Sequence, residues 1–544
     1  MTSSRTNAKV RRIPFNRLPG FPKLFATYCS EYDRLAGHFA GDWRRSESFV
    51  RTATSVDQRT YSRGSLADTL LAQQKRWVCC EAQRQNVEAL RESGTLAVVT
   101  GQQLGVFCGP VYTLYKAQTA IKLARRLEEN LGCRVVPVFW LEGADHDLVE
   151  VSSARIVSRD AVTAVEYRGH VLGERGNLGA VGVLRFTADI ERVCQEMLGS
   201  LPPSDFRDMI QRDFVAPYRK GATFVDAFAL CLSRLFGSQG LVLMDPEEQS
   251  LKQLAAPLFL KELSEYDASH SRIRSASEAL QAEFHAQVRP RATNLFRTDE
   301  SGGRQAILPH GAGFILRDSG RRMEKDELMQ HPEKLSPNVA LRPVVQDMLL
   351  PTVAYVAGPG EVSYFAQLRG LYEWAGVPMP IVYPRASVTV IGSRMQKALD
   401  KLDLAVEDFG GDTEQLFAQI VDRKSGIREM FADASTPAIE AVNSLLPHVI
   451  AVDPTLQGTV AATRTHILKE FDRLKRRVLK AEKRKRDALR STLVRAKAQL
   501  FPNGALQERA LSSVYFFSRY GPAFQETLTR ALSLDSSKHQ VISI

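Results

Sequence analysis

Between Ser93 and Tyr115 the chain carries no charged side chain, and this stretch constrains the fold more than any other. It reads SGTLAVVTGQQLGVFCGPVYTLY, with four glycines, one proline and two glutamines. A lipid-exposed helix is a poor home for those residues, because freed backbone and amide groups find no partner in hydrocarbon. The stretch therefore reads as a buried strand, Leu96 to Val99, running into a Gly-rich loop. A helical pattern follows from Val111 to Asn130 and stops at Leu131-Gly132. Val135 to Trp140 is the next apolar run. Strand, loop, helix, strand within about 45 residues is a βαβ unit, the building block of a parallel sheet.

Further strand signals recur downstream. Gly240 to Pro246 is one; residues 339–356 lead into Ala357-Gly358-Pro359-Gly360, and Pro380 to Pro384 is another. Residues 20–94 read as helices. Residues 152–220 are more irregular, with short β-like pieces at Arg155–Val157 and Gly182–Phe186. Residues 285–320 alternate and are glycine-rich, as an inserted β segment would be, and after Arg385 the chain reads as helical to about residue 500. The expectation is an α/β doubly wound core with insertions, followed by a helical arm. The expected divisions are 1–94, helical; 95–390, core; 391–505, helical coiled coil; and 506–544, a segment returning to the core.

At 544 residues, 44% hydrophobic and 24% charged, the chain is an ordinary globular sequence, which excludes global disorder. Its seven cysteines form no CxxC pair, which argues against a zinc ribbon or thioredoxin-type site and fits reduced thiols in the cytoplasm. The first twenty residues are basic but have no apolar stretch behind them, so no secretory signal is expected.

The net charge is +11, yet residues 461–500 alone hold fourteen Lys or Arg against four Asp or Glu, a net +10. The basicity therefore belongs to one long helix. Its apolar residues Phe471, Leu474, Val478 and Ala481, then Leu489, Leu493, Ala496 and Leu500, give a coiled-coil stripe with a stutter near Lys485. A solvated basic face is the simpler reading, with RNA or phosphate binding as the rival. No aromatic residue interleaves with the basic ones after Phe471, so base stacking has little support.

Three segments can carry chemistry. Gly101, Gln102, Gln103, Gly105, Gly109 and Tyr112 follow the first strand and open a helix, where backbone N–H groups can cradle an anion, with Lys116 a turn further on. The rival reading is a connecting turn. Asp145, His146, Asp147 and Glu150 follow the next strand, where an acid–His–acid run can orient an imidazole for proton transfer. His146 and Glu150 also have helical metal-ligand spacing, but no third ligand is evident and no metal is expected; capping by Asp145 or Asp147 is the structural rival. The third segment holds Asn338 and Arg342, then Gly358 and Glu361 after a glycine loop, with Arg385 behind the last strand. Either arginine can clamp a carboxylate or phosphate, or sit in a structural ion pair. Cys108, with no evident base, reads as loop filler more readily than as a nucleophile.

Together these segments resemble the bacillithiol synthase family, the cysteine ligases that end bacillithiol biosynthesis. The resemblance rests on VVTGQQLGVFCGPVYTLYKAQTAIKLA, VVPVFWLEGADHDLVEV, LSPNVALRPVVQDMLLPTVAYVAGPGEVSYFAQL, YPRASVTVI and LFPNGALQER, in that order over residues 95–520. It implies a Rossmann-like core with inserted connecting segments, a coiled-coil arm and a homodimer. It also implies a reaction joining the cysteine carboxyl to the amine of glucosaminyl-malate. Activating a carboxylate points to ATP, with Mg as counter-ion, through a cysteinyl adenylate or acyl phosphate. No tightly bound cofactor, membrane or nucleic acid is expected. On that reading the Gly101–Tyr112 loop cradles phosphate and Lys116 supplies a cation. His146 or Glu361 takes the amine proton, Arg342 or Arg385 clamps an anion, and Asn338 and Gln102 orient substrate. The rival functions are an adenylate-forming or nucleotidyl-transfer enzyme with other substrates, and a coiled-coil or RNA-binding module.

Overall fold

The computed structural model describes residues 10–158, 161–170, 179–299 and 302–544. The first nine residues, read above for a leader, lie outside that set, as do parts of the 152–220 and 285–320 stretches. The chain divides into two units: Gly392–Gly504 is one, and the residues on either side of it form the other.

The larger unit is α/β. Strands β1 (Leu96–Gln103), β2 (Val135–Glu142), β3 (Val242–Met244), β4 (Thr352–Ala357) and β5 (Ile381–Pro384) form one sheet in the order β5-β4-β1-β2-β3. Every neighbouring pair runs parallel. The strands are almost continuously apolar because helices cover both faces. Helix α1 (Tyr112–Leu131) makes the crossover from β1 to β2 and ends at Gly132, whose φ of +66° suits a glycine C-cap. The amino-terminal helices pack on the same core. From the helix Arg63–Arg76, Gln73 and Gln74 bond the backbone of Asp245 and Leu243, fixing the edge strand β3.

Between β3 and β4 the chain makes a long excursion. The helix Gln249–Gln281 leads into a five-stranded antiparallel sheet whose strands include Leu295–Thr298, Arg304–His310 and Leu335–Pro337. This is the β-rich insertion expected near 285–320. Helix α2 (Leu341–Leu349) then precedes β4, and α3 (Pro359–Phe365) follows it.

Three strands depart from the sequence reading. Val388–Ile391 lies where helix was expected; it pairs in parallel with His539–Ser543, which pairs antiparallel with Val10–Ile13. Each is a four- or five-residue piece from a distant part of the chain, so no local pattern reveals the pairing. Conversely, the piece at Gly182–Phe186 is a turn over Val181–Val183, with only Arg185 bridging to Thr223.

The smaller unit is helical. Helix Ile427–Ser444 packs along helix Gln457–Arg484. The continuous helix expected through residue 500 is interrupted: Arg486, at φ −116° and ψ 33°, separates it from helix Asp487–Leu500. The expected stripe is not a buried seam before that break. Phe471 and Val478 are half-buried, but Leu474 is 54% exposed. After it, Leu493, Ala496 and Leu500 are buried. No described helix is long and apolar enough to cross a membrane.

Candidate functional site

The strand order reverses between β1 and β4, and in open parallel sheets ligands bind in the crevice at such a point, beyond the carboxyl ends of the strands. A cleft of about 560 Å³ opens there. At its floor Lys116, on the second turn of α1, is buried. Its Nζ donates to the Gly101 carbonyl (2.6 Å) and to Gln102 Oε1 (3.3 Å), and pairs with Glu361 Oε2 at 2.5 Å. The Gly358 amide also donates to Glu361 Oε2 (2.6 Å), closing the start of α3, and the Tyr355 hydroxyl donates to Oε1 (2.7 Å). Burial alone would raise the Glu361 carboxyl. The Lys116 charge and these donors outweigh it and hold the group below its ordinary value. Burial also lowers Lys116, and Glu361 opposes that shift.

A second cluster sits at the end of β2. Arg342, on α2, places Nε 3.2 Å from Glu142 Oε2. It donates from Nη1 to Gln346 Oε1 (3.1 Å) and from Nη2 to the Tyr364 hydroxyl (3.0 Å). Glu142 is 21% exposed and faces the cleft. Burial raises its carboxyl above the ordinary value; Arg342 and Arg304 oppose the rise, while Asp145 and Glu247 add to it. Arg304 comes from the antiparallel insertion. It donates to Ser336 Oγ (2.9 Å) and the Pro337 carbonyl (2.5 Å) and lies 4.2 Å over the Phe296 ring.

Two family models cover the chain. The Bacillithiol biosynthesis BshC N-terminal Rossmann-like domain matches residues 9–386, and the C-terminal coiled-coil domain of the same family matches 388–544. The chain belongs to the BshC family. A protein of Salinibacter ruber named "Putative cysteine ligase BshC" is 41% identical over 99% of this chain and 100% of its own length. Proteins of the same name from Chlorobaculum tepidum and Geobacillus thermodenitrificans are 33% and 32% identical, covering 96% and 98% of this chain and 97% and 100% of their own lengths.

On this BshC Rossmann-like core, Gly101, Gln102, Gln103, Tyr112, Lys116, Asp145, His146, Asn338, Arg342, Gly358, Glu361 and Arg385 all line the one cleft. Gly109 does not; it borders a smaller adjoining hollow. The loop that carries it is no open phosphate cradle. Val106, Phe107 and Cys108 are fully buried. The amides of Gly105, Gly109 and Val111 donate to the carbonyls of Gln103, Val106 and Leu511, and that of Cys108 to the Tyr218 hydroxyl. A Cβ on Gly105 would come within 2.8 Å of Gly109 Cα, so these glycines serve close backbone packing. Burial raises the Cys108 thiol well above its ordinary value, with Cys231 beside it, so Cys108 is no activated nucleophile.

Other expected roles change as well. Asn338 accepts from the amides of Ala340 and Leu341 and donates to Asn294 Oδ1, so its amide turns the chain into α2 and is not free to orient substrate. Arg385 is spent on a buried carboxylate, Glu508, through Nη1 (3.1 Å) and Nη2 (2.7 Å), so it is no free clamp. Glu361 accepts hydrogen bonds on both oxygens and is held acidic, which makes it an anchor for Lys116 and a poor amine base. His146 stands at the rim with its side chain 51% exposed, Nδ1 3.5 Å from Asp145 Oδ1. The short helix Leu148–Val151 begins after it, with Asp147 as cap, so His146 and Glu150 do not share a helical face. Gln103 Nε2 bonds both Asp145 Oδ2 (2.5 Å) and Glu150 Oε2 (2.9 Å), and Gln102 Nε2 bonds the Tyr112 hydroxyl (2.9 Å).

Sequence reasoning missed Glu142, Arg304 and Arg509 as members of the cleft. Glu142 was signalled by its place as the first acid after the β2 apolar run, and Arg509 stands within LFPNGALQER. Nothing local marks Arg304, because an insertion brings it in.

Proposed function

We propose that this protein forms the amide between the carboxyl of cysteine and the amine of glucosaminyl-malate, closing bacillithiol biosynthesis in the cytoplasm, with ATP activating the carboxyl. Membership of the BshC family supports the pathway. The observation that carries the chemistry is the convergence of Lys116, Arg304, Arg342 and Glu142 on one crevice at the sheet's reversal point. Several cations in one partly desolvated cleft suit phosphate and carboxylate oxygens, whose charge they hold in place. ATP, when bound, supplies the leaving group that makes a carboxylate reactive.

The chain's own residues then divide the work. Lys116, anchored by Glu361, and Arg342, anchored by Glu142 and Tyr364, position anionic oxygens. Glu142, made more basic by burial, is the carboxylate suited to take the proton from the incoming ammonium, with His146 at the rim as the other proton carrier. The coiled-coil unit serves a homodimer, in which exposed apolar residues such as Leu474 become covered.

The test is a clean gene deletion followed by thiol mass spectrometry. Cells should accumulate glucosaminyl-malate and lack bacillithiol, and the purified protein should restore the amide bond in an ATP-dependent assay. Unchanged bacillithiol in a strain with no second copy of the gene would sink the reading.

A further inference from the structure

Beside the main cleft lies a hollow of about 150 Å³, well below the size of a drug-like site. It shares Gln102, Gln103, Tyr112, Glu150 and Arg509 with the cleft, so these residues border both spaces. Its inner wall is made of small residues, including Gly105, Gly109, Ala154 and Ala510.

The walls are tied together by main chain. The Ser512 amide donates to the Arg155 carbonyl (2.7 Å), the Val111 amide to the Leu511 carbonyl (2.8 Å), and the Ser513 amide to the Gly109 carbonyl (3.3 Å). The hollow is thus framed by three chain segments. Its lining carries two cations, Arg155 and Arg509, and one carboxylate, Glu150. Arg509 makes no ion pair or side-chain hydrogen bond among the described residues. Among the described residues the Glu150 carboxylate accepts one hydrogen bond, from Gln103 Nε2 to Oε2.

We propose that this hollow seats the cysteine substrate as a zwitterion, which deepens the ligase reading and rests on it. The α-carboxylate lies at Arg509, the residue common to hollow and cleft, so the carbon to be activated faces the cleft. The α-ammonium lies at Glu150, and the CH₂SH group points to the Ala154 and glycine wall.

The test measures binding to the full-length protein by calorimetry with three probes: L-cysteine, cysteamine, which lacks the carboxylate, and 3-mercaptopropionate, which lacks the ammonium. Charged hydrogen bonds of this kind are worth about tenfold or more in affinity. Arg509→Gln should weaken cysteine and 3-mercaptopropionate by about tenfold and leave cysteamine unchanged. Glu150→Gln should weaken cysteine and cysteamine and leave 3-mercaptopropionate unchanged. Ala154→Leu, with the smaller Ala154→Val as a second variant should the first not fold, should weaken all three. Equal losses for all probes in the two charge variants, or cysteine binding unchanged in a folded Ala154 variant, overturns the site while leaving the ligase reading intact. Wild-type protein that binds none of the three probes, with and without ATP, and forms no amide overturns both.

Discussion

Arg385 and Glu508 stand 123 residues apart in the chain and meet in a two-pronged ion pair with 2% and 0% of their side chains exposed. Glu508 also accepts from Ser387 Oγ and the Val388 amide, so the carboxylate is satisfied where no water reaches it. Removing one partner strands a buried charge, which costs about 3–5 kcal/mol. Arg385→Ala should therefore lower the melting temperature sharply. Arg385→Met combined with Glu508→Gln should recover much of the loss. Calorimetric unfolding of the three proteins checks this.

Lys116 is a cation buried at the floor of the cleft, 3% exposed. Lys116→Met preserves much of its volume while removing the charge. Loss of a preorganised contact to developing charge typically costs about 100-fold or more in kcat. The expected outcome is that loss in the amide-forming assay with a native circular dichroism spectrum at room temperature and a lowered melting temperature, because Glu361 loses its partner.

Burial holds the Glu142 carboxyl above its ordinary value of 4.5, with Arg342 as the strongest force holding it down. If its carboxylate form takes the amine proton, kcat/KM falls on the acid side through a value above 4.5. Glu142→Gln should abolish that limb together with most of the rate. Arg342→Met should shift the limb upward in whatever activity remains. A pH–rate profile of each variant decides.

His539 is fully buried between the Ser387 and Thr389 hydroxyls, and burial lowers it from 6.5 to about 4. A histidine harder to protonate when folded stabilises the fold above pH 6.5, and that contribution is lost as pH falls through about 4. The gap amounts to about 3 kcal/mol. Urea unfolding between pH 7 and pH 4 should show the loss in the native protein and a shallower slope in His539→Gln.

Leu474 is 54% exposed on helix Gln457–Arg484. If a second copy covers it, Leu474→Asp places a charge in an apolar seam and should halve the mass seen by analytical ultracentrifugation. An unchanged mass and melting temperature would remove Leu474 from the dimer contact.

The sheet was legible because its strands are buried on both faces, so apolar runs such as Val135–Trp140 stand out without knowledge of their neighbours. The clusters at Gly101, Asp145 and Gly358 could be placed because each follows a core strand, and topology gathers strand ends; Asn338 and Arg342 precede β4 and reach the cleft from the start of α2. Their duties were less legible. Glu361 and Asn338 sit where sequence placed them, but what they bond depends on Lys116, Tyr355 and Asn294, which lie far off in the chain. The short strands Val10–Ile13 and His539–Ser543 escaped notice for a related reason: each is defined by the other.

The Gln507 side chain bonds both the amide and the carbonyl of Val390, at 2.8 and 3.0 Å. Those two residues flank Gly392–Gly504, so the polypeptide leaves and rejoins the larger unit at adjacent points. Thermodynamically, the helical unit is a loop whose ends Gln507 and Glu508 hold together. The entropy of closing such a loop grows only logarithmically, by about 0.6 kcal/mol for each doubling of its length. Lengthening or shortening the arm by whole turns therefore costs the catalytic unit little, and changes in arm length can be separated from changes in chemistry.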